Sequence, residues 1–190
     1  MKKYFDYLGL LCLLFSSMMS SCSSPEESKE KVYDVVVYGA TSSGVIAAYT
    51  AKTMGKSVVL IEPSQHLGGL TTGGLGYTDI GNKFAVTGLS RDFYRKLGDH
   101  YGKFEQWIFE PSVAKATFQD YLDRAGITVQ YGFRIQDVEN KEGTITKITL
   151  ENAKNLSEPL REVAGKMFID ATYEGDLMAK SGVTYAIGRE

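Results

Sequence analysis

Residues 32–62 read VYDVVVYGATSSGVIAAYTAKTMGKSVVLIE, and this stretch decides the fold. Val32 to Tyr38 is rich in β-branched and aromatic residues, as a strand buried inside a parallel sheet must be. It runs straight into Gly39-Ala40-Thr41-Ser42-Ser43-Gly44. Val45 to Met54 then reads as a helix stopped by Gly55, and Ser57 to Ile61 is a second apolar strand closing on Glu62. The result is a β-turn-α-β unit. Glu62 stands 23 residues after Gly39, close to the spacing of about 20 expected for an acid that binds a ribose diol in dinucleotide-binding units.

The residue types follow from the chemistry. Gly39 permits a tight turn, Gly44 lets helix and strand pack closely, and the helix N-terminus offers unpaired N–H groups to a pyrophosphate. Thr41 departs from the glycine-rich fingerprint, which places a second glycine here so that backbone can reach the phosphates. Its Cβ is expected to push a ligand outward, with the hydroxyls of Thr41, Ser42 and Ser43 compensating by hydrogen bonds.

Two further glycine-bearing motifs follow. His66-Leu67-Gly68-Gly69-Leu70-Thr71-Thr72-Gly73-Gly74-Leu75-Gly76 lies just past Glu62, and residues 68–88 hold seven glycines. Ordering so many glycines is entropically costly and argues for a ligand. Met167 to Asp170 is an apolar strand that leads through Ala171-Thr172-Tyr173-Glu174 to Gly175-Asp176 and a helical stretch, Leu177 to Ser181. Asp176 there also fits a plain helix N-cap. Between these motifs, Gly88 to Leu97 and Val113 to Ala125 carry helical apolar faces, the second ending at Gly126. Ile127 to Tyr131 reads as a third parallel strand. Arg134 to Glu139 and Thr144 to Glu151 read as antiparallel strands of a meander laid over the sheet.

The three motifs together resemble those of FAD-dependent oxidoreductases of the glutathione reductase and succinate dehydrogenase superfamily, over residues 33–190. The resemblance implies an α/β fold: a Rossmann-type FAD-binding domain, with a parallel sheet plus an antiparallel β-meander. It implies FAD as cofactor, held by Gly39, Thr41, Ser42, Ser43, Gly44, Glu62, Gly68, Gly69, Thr72, Ala171, Thr172, Gly175 and Asp176. The implied activity is transfer of a hydride or electron pair between a small organic substrate and flavin. A late strand and a substrate domain, which the family normally carries, have no counterpart here. The chain is therefore expected to be an N-terminal fragment, its domain incomplete at the C-terminus and its catalytic residues elsewhere. His66 is expected to position its loop rather than bond flavin covalently. A nucleotide-binding lipoprotein without turnover and an NAD(P)-dependent dehydrogenase share the first motif and stay open as alternatives.

Composition removes other classes. A net charge of −2 and the absence of a basic stripe speak against nucleic acid as partner. With Cys12 and Cys22 as the only cysteines, neither a zinc cluster nor a redox cysteine pair for disulfide reduction is expected. No metal is called for.

The first residues read as an address. Lys2 and Lys3 precede an apolar run of eight residues, Leu8 to Phe15, too short to span a bilayer as a helix. Ser20-Ser21-Cys22 resembles the lipobox of bacterial lipoproteins. Residues 1–21 are then a signal peptide, residues 22–31 an acylated cysteine and polar tether, and residues 32–190 the domain, exported and lipid-anchored on a periplasmic or outer-surface membrane face. Stable anchoring needs at least two acyl chains, which an acylated N-terminal cysteine carries. Cys22→Ser is expected to move the protein from the detergent phase to the aqueous phase on partitioning, while the wild type stays with detergent.

Overall fold

A computed structural model describes residues 31–188. The expected signal peptide, Cys22 and the tether up to residue 30 lie outside the described residues, as do Arg189 and Glu190.

The opening unit forms as the sequence predicts. Strand β1 (Val32–Tyr38) pairs in parallel with β2 (Val58–Glu62), in a register running from Val35 opposite Val58 to Tyr38 opposite Ile61. Helix α1 (Ser42–Thr53) begins three residues earlier than expected, because Thr41 serves as its N-cap: the residue is extended, with φ −68° and ψ 176°, and its hydroxyl accepts from the Gly44 amide. Ser42 and Ser43 are therefore helical. After a 3-10 turn at Gly69–Thr72 and another at Lys83–Ala85 come α2 (Gly88–His100) and α3 (Pro111–Ala125). Gly126 ends α3 in the left-handed region at φ +63°. Strands β3 (Val129–Tyr131), β4 (Phe133–Lys141), β5 (Thr144–Asn152) and β6 (Arg161–Asp170) and the short α4 (Asp176–Lys180) complete the described chain.

The six strands lie in the order β3-β2-β1-β6-β5-β4. The meander is not a separate layer, as expected, but a continuation of this sheet through β6. Arg161 to Ala164 pair antiparallel with β5, while Ala164 to Asp170 pair in parallel with β1. Gly165 follows the changeover, and a Cβ there would come 2.5 Å from Val36 Cγ2. Beyond it the meander does curl over the parallel strands. Val36, Tyr38, Val59 and Ile61 form one buried cluster with Phe133, Ile135, Val138, Ile148 and Leu150. The alternate residues Val37 and Leu60 pack against Val45, Ala48, Phe118, Tyr121 and Leu122 of the helices. Both faces of β1 and β2 are thus covered, which is why these strands are apolar at nearly every position rather than alternating.

Tyr38 ties the two layers together. Its ring is fully buried, and its hydroxyl accepts the Ile135 amide of β4 at 3.2 Å. Burial pushes the phenol up to about 12, with the carboxylates of Asp176, Asp170 and Glu62 adding to the rise. A phenol raised above its ordinary value near 10 contributes stability that is complete below pH 10 and lost as pH rises toward 12. Tyr38→Phe should cost about 1 kcal/mol at neutral pH through the lost hydrogen bond. The gap between wild type and variant should narrow in urea melts recorded above pH 10.

Candidate functional site

The three motifs meet at the carboxyl ends of β1, β2 and β6. The strand order reverses here: the chain leaves β1 for β2 on one side, and β6 returns on the other, the position at which open α/β sheets place their ligand crevice. Each motif is bonded to the turn after β1. The Gly39 amide donates to the Ile61 carbonyl at 2.8 Å, and the Ala40 amide to Glu62 Oε2 at 2.6 Å. The Gly68 amide donates to the Ala40 carbonyl at 2.8 Å, and Thr41 and Gly68 form an isolated parallel bridge. From the third motif, the Ala171 amide donates to the Tyr38 carbonyl at 2.7 Å, while Thr41 Oγ1 donates to the Ala171 carbonyl, also at 2.7 Å. Gly39 has φ +100°, and a Cβ on it would sit 2.8 Å from the Ala171 carbonyl carbon. A Cβ on Gly44 would overlap the Gly39 carbonyl oxygen. Both glycines are demanded by backbone approach.

Glu62 is 8% exposed, and its carboxylate is fully organised. Oε2 receives Ala40, while Oε1 accepts the Ser64 amide at 2.9 Å and the Ser64 hydroxyl at 2.6 Å. The carboxylate lines a cavity of about 380 Å³ together with Gly39, Thr41, Gly69 and Thr172 among the expected residues. Pro63, Ser64, His66, Leu70, Gly73, Tyr173 and Glu174, none of them an expected ligand contact, complete the lining. The cavity thus joins a fixed carboxylate to a glycine turn at a helix N-terminus, where the first-turn amides are available to an anion. Acceptors for hydroxyls and donors for phosphate stand side by side.

Several expected residues act elsewhere. Ser42 and Ser43 border a neighbouring crevice of about 250 Å³ with Thr71, Leu89, Tyr94 and Phe118. The Thr41 hydroxyl, expected to compensate a ligand for the missing glycine, instead gives its proton to the Ala171 carbonyl. Ser43 Oγ lies 2.9 Å from that same hydroxyl. Thr72 is buried and donates to the Leu67 carbonyl. His66 Nε2 lies 2.8 Å from Thr72 Oγ1 and 3.1 Å from the Gly69 carbonyl oxygen. His66 thus braces its own loop. Gly68 and Ala171 serve the junction itself, through the contacts described above.

The third motif also corrects the capping assignment. Asp176 is the first residue of α4, its N-cap is Gly175 at φ +70°, and no side chain there caps the helix. The cap comes from Asp170. Its Oδ1 accepts the Thr172 amide at 3.0 Å and the Thr172 hydroxyl at 2.7 Å, and its Oδ2 accepts the Met178 amide at 3.0 Å. Thr172 Oγ1 in turn accepts the Gly175 amide at 3.0 Å. The signal was present in the Asp-Ala-Thr spacing, which suits a carboxylate bonding the backbone two residues on.

A family model for FAD dependent oxidoreductases matches residues 34–190. The chain belongs to this family. Thiamine thiazole synthase of Pyrococcus horikoshii is 25% identical over 154 residues, covering 77% of this chain and 60% of that protein. 3-Oxosteroid 1-dehydrogenase of Mycolicibacterium smegmatis is 36% identical over 92 residues, covering 48% of this chain and 16% of that protein. Glycerol-3-phosphate dehydrogenase from Bacillus halodurans, solved in complex with FAD, matches with a TM-score of 0.59 at 11% identity, over 80% of this chain and 37% of that one. At that identity the likeness shows the fold alone, a Rossmann-type α/β domain. The chain spans less than two thirds of each of these three proteins. The family's cofactor is FAD.

Asp170 provides a test of this assembly. Both its oxygens accept from N–H groups, so Asp170→Asn must turn an amide NH2 toward at least one donor. The expected cost is about 1–3 kcal/mol, the penalty for leaving a polar group in such a network unpaired. It should be read as a lowered urea midpoint with unchanged slope.

Proposed function

We propose that this chain is the cofactor-holding part of an oxidoreductase that moves a hydride or electron pair between FAD and a small organic substrate. The observation that carries this reading is the single cavity in which the Glu62 carboxylate, the Gly39–Thr41 turn and the α1 N-terminus converge. FAD, when bound, supplies the redox chemistry, and the protein supplies position and electrostatics.

The residues fit that group. Glu62, held by Ala40 and Ser64, accepts three hydrogen bonds and keeps one acceptor site, on Oε2, for a ribose hydroxyl, and its charge disfavours a 2′-phosphate. The N-terminus of α1, whose N-cap Thr41 lines the cavity, suits the pyrophosphate. Gly69 and Thr172 line the same cavity. Gly175 and Asp176, at the start of α4, are the residues that the resemblance assigns to the flavin end; they lie outside the lining of this cavity. The sequence relatives are named for a thiazole synthase and a steroid dehydrogenase, both acting on small organic molecules.

For location we propose export and attachment through acylated Cys22. Among the described residues no helix is long and apolar enough to cross a membrane; the support for a lipid anchor is the Ser20-Ser21-Cys22 sequence.

The test is the visible spectrum of the purified chain after incubation with FAD and gel filtration, with affinity taken from flavin fluorescence. Wild type should retain yellow absorbance. Glu62→Gln sets an amide NH2 against the Ala40 or Ser64 donors and should weaken FAD about 10- to 100-fold, in line with roughly 1.5–3 kcal/mol for hydrogen bonds to a charged group. A wild-type chain with no affinity for FAD sinks the proposal.

A further inference from the structure

The third motif carries a side chain that the motif reading passes over. Tyr173 lies on the turn between β6 and α4 and lines the same cavity as Gly39, Thr41 and Glu62. Its oxygen accepts the Leu70 amide at 2.8 Å, which belongs to the 3-10 turn of the second motif. The ring covers Gly69 so closely that a Cβ there would overlap the phenol oxygen. Yet the residue is 57% exposed. A phenol that accepts one N–H still has its own O–H to give, and no acceptor for that proton occurs among the described residues.

We infer that Tyr173 is a further cofactor-binding residue, its O–H donating to the diphosphate of the bound dinucleotide. The inference rests on the FAD reading above. Accepting the Leu70 amide polarises the phenol and makes it a stronger donor. Glu174 also lines the cavity and Glu62 is charged there, so a neutral donor suits a diphosphate in this acidic surrounding without adding charge. The residue also explains Gly69: only a residue without a side chain leaves room for the phenol to reach across from the third motif to the second.

Tyr173→Phe keeps the ring over Gly69 and removes only the hydroxyl. Binding of FAD, ADP and adenosine to the purified wild type and variant is measured by fluorescence and calorimetry, with thermal melts confirming that both are folded. The expected result is a loss of about tenfold or more for FAD and for ADP, in the range for one hydrogen bond to a charged group. Adenosine, which has no diphosphate, should bind both proteins alike. FAD and ADP bound equally by the variant and a competent wild type would overturn this inference alone. An equal loss for adenosine would overturn it too, because the hydroxyl would then be acting on the fold. A wild type that binds none of the three would overturn the FAD reading, and the inference with it.

Discussion

Backbone meets backbone at Gly39, and most of what lies above the sheet depends on that contact. The Gly39–Thr41 turn receives Glu62 from β2, Gly68 from the second glycine loop and Ala171 from the end of β6, all through hydrogen bonds of 2.6–2.8 Å. Such distances allow no intervening side chain. Gly39 faces the Ala171 carbonyl, and Gly44 faces the Gly39 carbonyl in turn. Segments more than 100 residues apart thereby share one small polar junction. The cavity next to it is walled by groups whose positions are already determined.

Strand β6 carries that junction to the other half of the molecule. Its first residues belong to the meander and its last to the parallel sheet, so one strand both closes the core and delivers Asp170 to the site. The meander curls back over β1 and β2 because Val36, Tyr38, Val59 and Ile61 would otherwise face water. Tyr38 lies at the end of this path. Its ring belongs to the core under the meander, and its carbonyl takes the Ala171 amide beside the site.

Side chains that look like ligand groups in the sequence are used largely to hold loops. Thr41 binds Ala171, Thr72 binds Leu67, His66 binds Thr72 and Gly69, and Asp170 binds Thr172 and Met178. These loops are rich in glycine and costly to order, and local hydrogen bonds from short polar side chains offset part of that cost. The cavity beside these loops is lined by Glu62, by the N-terminal end of α1 at Thr41, and by a rim of Gly69, Thr172 and Tyr173.

The sequence by itself determined the β-turn-α-β unit, the acid at its end, the helices ending at Gly55 and Gly126, and the hairpin of β4 and β5. Each of these is set by local chemistry: runs of β-branched residues, helical spacing, and glycines where the backbone turns left-handed. The grouping of three motifs into one family's pattern was legible for the same reason, since backbone approach at Gly39 and Gly44, and crowding by Thr72 and Phe118 at Gly68, admit few residue types. Only the tertiary structure decided which hydroxyl bonds which carbonyl, that Asp170 rather than Asp176 caps α4, and that Tyr173 spans two motifs. It also decided that the meander continues the sheet through β6. These are matters of distance between residues such as Thr41 and Ala171, which lie far apart along the chain, and a short polar side chain has several partners within reach until folding brings one of them to 2.7 Å.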